Sequence, residues 1–260
     1  MNIVVCIKQV PDTTEIRIDP VTNTLIREGV ESIINPFDLY ALEEAIRLKE
    51  QHGGKITAIS MGPPQVEVAL RESVAMGVDE IILLTDRKFA GADTWATSLT
   101  LAGAIEKMED VDLIFFGQQA IDGDTAQVGP GVAAHLKLPQ VGFVKKIESI
   151  ENNRVVAQRL MEDGYDRVEM PMPAVITVVK EINIPRLPSL RGKRNAKKVT
   201  LTSWTAADLE LDENNIGLNG SPTQVVKIFS PDLRKDGEKH ELPADELAEI
   251  LYNKLKELGK

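Results

Sequence analysis

Apolar residues along this chain fall into short β-branched runs that alternate with segments of helical spacing. Residues 2–7 (NIVVCI) are a compact run closed by Lys8, Gln9, Val10 and Pro11, and predict a buried strand. Residues 37–52 place apolar side chains at 39, 42, 45, 46 and 48, the spacing of a helix that Gly53 and Gly54 stop. The alternation continues with a strand over 55–62, a helix over 64–77 ending at Gly77, and a strand over 80–86. A helix over 93–108, with Asp93 or Thr94 as its N-cap, then leads to a strand over 111–117 that is apolar on both faces.

Strands separated by helices at this spacing predict a parallel sheet covered on both sides. After Gly142 the pattern changes. Segments 144–150, 154–161 and 174–179 read as strands with no helices between them, and Asn152-Asn153 as a hairpin turn, so they predict an antiparallel extension. The expected fold is α/β: an open, mostly parallel, Rossmann-like nucleotide-binding sheet with helices on both faces, that extension and a C-terminal arm. The expected division is a nucleotide-binding domain over 1–181, a separate loop over 182–198, and an extended arm with a terminal helix over 199–260.

Segment 180–198 holds seven Lys/Arg and one Glu, about +6 against a formal net charge of -10 for the whole chain. Pro185 and Pro188 argue against regular structure there, and 199–235 reads as extended. Residues 243–258 carry an apolar stripe at 247, 250, 251, 255 and 258, which predicts an amphipathic helix too apolar on one side to stand free in water. It is expected to pack on another subunit or across its own domain.

The acidic balance and the 4% aromatic content disfavour a role on nucleic acid. The N-terminal apolar run is too short for a signal peptide and no run approaches a membrane span, so a cytoplasmic protein is the expectation. A single cysteine, Cys6, and three scattered histidines offer neither an internal disulfide nor a metal site.

The candidate chemistry lies in GQQAIDGDTAQVGPG, which begins at Gly117 at the end of a central strand. Ligands of open parallel sheets bind at such ends. Gly117, Gly123, Gly129 and Gly131 allow close backbone approach or positive φ. Asp124 or Thr125 can cap the following helix, or Pro130 can be its first residue. Either way the amides of 124–129 lack helical partners and form an anion site. Asp122 and Asp124 count against phosphate. The same residues also make an ordinary polar loop with a helix cap. Neither a G-x-G-x-x-G nor a P-loop motif is present. Cys6, Asn35 to Asp38, and Met61 with Gly62 sit at neighbouring strand ends; Asn35 can cap the first helix, and Cys6 alone reads as a small buried hydrophobe.

Together VVCIKQVPD, INPFDLYALEEAIRLKE, SMGPPQ, AMGVDEIILLTD, AIDGDTAQVGP and INIPRLPSLRGKRNAKK resemble the beta subunit of electron-transfer flavoproteins, over nearly the whole chain. The resemblance implies a heterodimer with an FAD-carrying alpha subunit. It implies that a nucleotide contacts Cys6, Asn35, Pro36, Phe37, Asp38 and Met61. It extends the contacts through Gly117, Gln118, Gln119, Ala120, Ile121, Asp122, Gly123, Asp124, Thr125, Ala126, Gln127 and Val128. In ordinary members that nucleotide is a structural AMP. In electron-bifurcating members it is a second FAD, which takes a hydride from NADH and sends electrons to the alpha FAD and to ferredoxin or flavodoxin. AMP-holding members typically carry three consecutive acids where this chain has Gly123 in the middle, and Thr-Gly-Gln where it has Val128-Gly129-Pro130. FAD is therefore the expectation. Segment 182–198 resembles the loop that docks on a partner, an acyl-CoA dehydrogenase by that resemblance, with Leu190 at the anchoring position. No acid/base pair or nucleophile is legible, and no catalytic residue is assigned. A competing reading from the early βαβ pattern alone is an ATP-binding module of the universal-stress type.

Overall fold

The computed structural model describes residues 1–12, 32–226 and 237–259. Strand β1 (Asn2–Cys6) is followed by the short strands β2 (Gln9–Pro11) and β3 (Ser32–Ile34), which pair antiparallel with each other. Then come α1 (Pro36–His52), β4 (Lys55–Met61), α2 (Glu67–Met76), β5 (Glu80–Leu84), α3 (Thr94–Glu106), β6 (Leu113–Gly117) and α4 (Val128–Leu136). A β-rich stretch follows: β7 (Gln140–Glu151), β8 (Arg154–Met161), β9 (Gly164–Pro171) and β10 (Ala174–Val178). The chain closes with α5 (Leu190–Ala196), β11 (Leu201–Trp204) and α6 (Ala244–Glu257).

Among the described residues the main sheet has nine strands, in the order β11-β5-β4-β1-β6-β10-β7-β8-β9. Pairings from β11 through β7 are parallel, and the β7–β8 and β8–β9 pairings are antiparallel, so β8 alone runs against the rest of this sheet. Side chains alternate across it. Ile3, Val5, Leu113 and Phe115 face α1 and α2, whereas Val4, Cys6, Ile114 and Phe116 face α3 and α4. Two cores result, one per face, which is why the central strands read as unbroken apolar runs.

Three expectations change. Segment 174–178 is not part of an antiparallel extension; β10 lies between β6 and β7 and is parallel to both. The cause is curvature: β7 shifts register twice against β8 and contains Phe143 at φ 58°. The hairpin curls back, so that Met172 N donates to Asn153 O while Ala174 N, two residues on, donates to Asp112 O ahead of β6. Second, β9 forms between 161 and 174, where the pattern predicts no strand; it is a polar, mostly exposed edge strand with little apolar signal. Third, segment 180–198 is not irregular throughout. Beyond Pro188, Ser189 caps α5 by accepting from Gly192 N at 2.9 Å.

The Asn152-Asn153 turn forms as expected, both residues having positive φ. Residues past 199 also join the main body: β11 pairs with β5, and Ala206, Leu209 and Ile216 enter the core on the α3 face. The part of the extended reading at 227–235 lies outside the described residues. No residue of α6 is buried, and Leu247, Leu251, Leu255 and Leu258 stand exposed. No helix is long and apolar enough to cross a membrane among the described residues.

Candidate nucleotide site

The chain passes from β1 to β4 and β5 on one side, then crosses to β6 on the other. The β1/β6 pair is therefore the topological switch point, and the loop after β6 opens where ligands of such sheets bind. Gly117 ends β6. A Cβ there would strike the Asp38 carboxylate and lie 2.6 Å from the Phe37 carbonyl carbon, so the first turn of α1 packs on bare backbone. Asp38 is buried and accepts from Lys8 N at 2.7 Å and Gly117 N at 3.2 Å. One carboxylate thus ties the ends of β1 and β6 to α1. Burial is the largest influence on it and outweighs hydrogen bonding from the Asn35 side chain and the Lys8 and Gly117 amides and the Lys8 charge, raising its pKa to about 7. Burial, followed by the charge of Asp38, also raises the Cys6 thiol.

Asn35 occupies the N-cap position of α1, but its side chain makes no cap bond. The loop takes both of its polar atoms instead. Nδ2 donates to Gln119 O at 2.8 Å, and Oδ1 accepts from Ile121 N at 3.1 Å. The two loop carboxylates are also engaged. Asp122 pairs with Lys8 Nζ at 2.6 Å, and Asp124 accepts from Gln119 Nε2. Lys8, which closes the loop from the β1 end, was not singled out from sequence; its place just after a strand end was the available signal.

Of the two expected roles, three of the four glycines take close approach. None of Gly117, Gly123, Gly129 and Gly131 has positive φ; Asp124 and Ala126 take it instead, both at 54°. Gly117, Gly129 and Gly131 serve close approach, to Asp38, Thr177 and Ser98, whereas a Cβ on Gly123 would meet nothing within 4 Å. Helix α4 begins at Val128, with Gln127 at its N-cap position and no side-chain cap. Neither Asp124 nor Thr125 caps it, and Pro130 is its third residue rather than its first, because the turn after Asp124 brings the chain into the helix earlier. Asp124 N is spent on Ala120 O. Among the described residues, the amides of Thr125, Ala126, Gln127, Val128 and Gly129 have no hydrogen-bond acceptor. Free amides at a helix start are the arrangement that favours anions.

The structure therefore brings together Cys6, Asn35 to Asp38, Met61 at the end of β4, and the loop from Gly117 to Val128. Cys6 and Asp38 are buried, whereas Ile121 to Thr125 are exposed. Leu190 lies apart, at the start of α5 against α2, and is exposed. A separate cleft of about 590 Å³ opens at the amino ends of the strands, lined by residues including Asn2, Lys55, Glu80, Lys107 and Trp204; it shares no residue with the loop. The crevice presents unengaged main-chain amides, the kind of donor that an anion accepts.

Comparison with known proteins gives this crevice its context. The electron transfer flavoprotein domain matches residues 22–209. The chain belongs to the electron transfer flavoprotein family. Its similarity to electron transfer flavoprotein subunit beta of Thermoanaerobacterium thermosaccharolyticum is 59% identity, over 92% of this chain and 91% of the relative. Subunit CarD of the caffeyl-CoA reductase-Etf complex of Acetobacterium woodii is 50% identical over 99% and 98% of the two chains. Protein FixA of Sinorhizobium fredii is 45% identical over 90% and 85%. Membership among the beta subunits and a role in electron transfer follow, and the universal-stress reading falls.

Proposed function

We propose that this chain is the beta subunit of a heterodimer with an FAD-carrying alpha subunit, and that its own crevice holds a second FAD in NADH-dependent electron bifurcation. The observation that carries the reading is how the loop's polar groups are engaged. Asp122 and Asp124 are each held by a donor from the protein, and among the described residues Gly123 leaves open space and five consecutive residues past Asp124 have unengaged amides. Such a loop suits a diphosphate, which brings more negative charge than a monophosphate.

When bound, the FAD would supply the redox chemistry, accepting a hydride from NADH and dividing its electrons between the alpha FAD and ferredoxin or flavodoxin. The protein's part is to cradle the diphosphate on the amides from Thr125 to Gly129, to hold the loop through Asn35 and Lys8, and to fix α1 against β6 through Asp38. Cofactor extraction from the intact heterodimer tests this. Two FAD per dimer are expected; one FAD with one AMP would refute the bifurcating reading.

The segment 182–198 is the docking surface of this reading. A relative named as part of a caffeyl-CoA reductase complex supports a CoA-ester oxidoreductase as the partner, of the acyl-CoA dehydrogenase kind. Leu190→Ala is expected to slow electron exchange with an acyl-CoA dehydrogenase while flavin content stays constant; undiminished exchange would remove the docking role.

A further inference from the structure

Residues 183–190 invert the usual pattern of a surface segment. Asn183 and Arg186 turn toward the protein, while Ile184, Leu187 and Leu190 stand in solvent. Asn183 Nδ2 donates to Tyr40 O and to Glu44 Oε2, both at 3.0 Å. Arg186 forks onto two acids of α1, with Nε 2.8 Å from Glu43 Oε2 and Nη1 2.6 Å from Glu50 Oε1. Its own amide also donates to Glu43, at 3.1 Å. Meanwhile Ile184, Leu187 and Leu190 are 83%, 89% and 82% exposed.

Glu43 is a costly residue to place here. It is buried on α1 and accepts from Arg47 as well as Arg186. Burial alone would raise its pKa, but the hydrogen bonds from the two arginines outweigh that and hold the carboxyl below its ordinary value. The far end of the segment is fixed too. A Cβ on Gly192 would collide with Ala75 O, and Arg71 Nη1 donates to Ala196 O and Val199 O, so α5 lies directly on α2. The three apolar side chains are thus displayed from backbone bolted to two helices. Holding a docking loop in place before the encounter removes part of the ordering cost of binding.

We infer that Arg186 is a positioning residue for partner docking: its fork onto Glu43 and Glu50 holds Ile184, Leu187 and Leu190 outward as one preformed apolar face. The inference rests on the reading of 182–198 as the docking surface. It adds a structural link, because α1 carries the clamp in its middle turns and lines the nucleotide crevice with its first.

The test uses the intact heterodimer with a purified acyl-CoA dehydrogenase, whose acyl-CoA substrate supplies electrons. Arg186→Gln is expected to raise KM for the dehydrogenase about tenfold and to leave kcat at saturation within about twofold, since only the pre-encounter order is lost. Amide hydrogen exchange over 183–190 is expected to accelerate, with cofactor content unchanged. Arg186→Lys is expected to recover only part of the affinity, because one ammonium cannot fork across both acids. Should Arg186→Gln fail to fold, Glu50→Gln removes the exposed half of the clamp and is expected to raise KM about two- to threefold, a fraction of the full loss. A KM raised by Leu190→Ala but unchanged in both Arg186→Gln and Glu50→Gln overturns the positioning role alone. A KM unchanged in Leu190→Ala overturns the docking reading beneath it.

Discussion

Replacing Asn35 by alanine tests whether the nucleotide loop is preformed. The side chain makes two hydrogen bonds to the loop, at 2.8 Å to Gln119 O and 3.1 Å to Ile121 N, and no cap bond to α1. The backbone bond from Asp38 N to Asn35 O, at 2.9 Å, is untouched by the substitution. The change therefore acts mainly on the loop and keeps the backbone bond that starts α1. Two net hydrogen bonds amount to about 1–3 kcal/mol, which becomes a loss of roughly 5- to 150-fold in nucleotide affinity if the freed loop must be re-ordered on binding. Titrating the cofactor-depleted heterodimer with FAD, alongside hydrogen exchange over 117–124, measures both consequences. Asn35→Asp sharpens the test. It keeps the acceptor for Ile121 N but sets a carboxylate against the Gln119 carbonyl, so it should bind no better than alanine at neutral pH. Wild-type affinity in either variant would refute the reasoning, as would a lower Tm with unchanged affinity.

Gly117→Ala should destabilise the protein by about 1–3 kcal/mol, a drop of roughly 3–10 °C in Tm by thermal scan, because the new methyl meets the Phe37 backbone and Asp38 rather than a flexible side chain. Gly123→Asp has free space for its side chain and should fold normally, yet weaken FAD binding roughly tenfold by adding a carboxylate near the diphosphate; unchanged affinity would show that residue 123 does not face the ligand. Asp38 carries a pH signature. Its pKa rises from 3.8 to about 7 on folding, so the folded state binds the extra proton between those values. Its contribution to stability is complete below about pH 4 and is lost as pH rises through about 7. In Asp38→Asn, Tm should lose that component of its fall across this window; an identical pH profile in both proteins would contradict the shift.

The sheet's central strands were legible because they are buried on both faces, which leaves unbroken runs such as NIVVC and LIFFG. The hairpin turn was legible for a different reason, the tolerance of Asn152 and Asn153 for positive φ. What sequence hid was produced by tertiary contact. β9 has little apolar pattern because it is an edge, and β10 is parallel only because the hairpin before it curls. The loop's composition pointed to an anion site, but the roles of its residues needed coordinates. Asn35 reads as a cap and serves as a brace; Asp122 and Asp124 read as obstacles to phosphate and are held by Lys8 and Gln119. Such long-range pairings leave no local spacing to detect.

The route from β10 to β11 has a consequence for engineering the protein. Segment 182–198 is not a free excursion, since after it the chain crosses the α1 and α2 face and supplies the last parallel strand beside β5. Truncating the chain after Lys198 to isolate the nucleotide domain would strip β5 of that neighbour and bare the hydrogen-bonding edge of a fully apolar strand, Ile81 to Leu84. Such an edge is a template for pairing with other chains. A minimal soluble fragment of this protein should therefore retain residues through Trp204, together with the Ala206, Leu209 and Ile216 contacts that seat it.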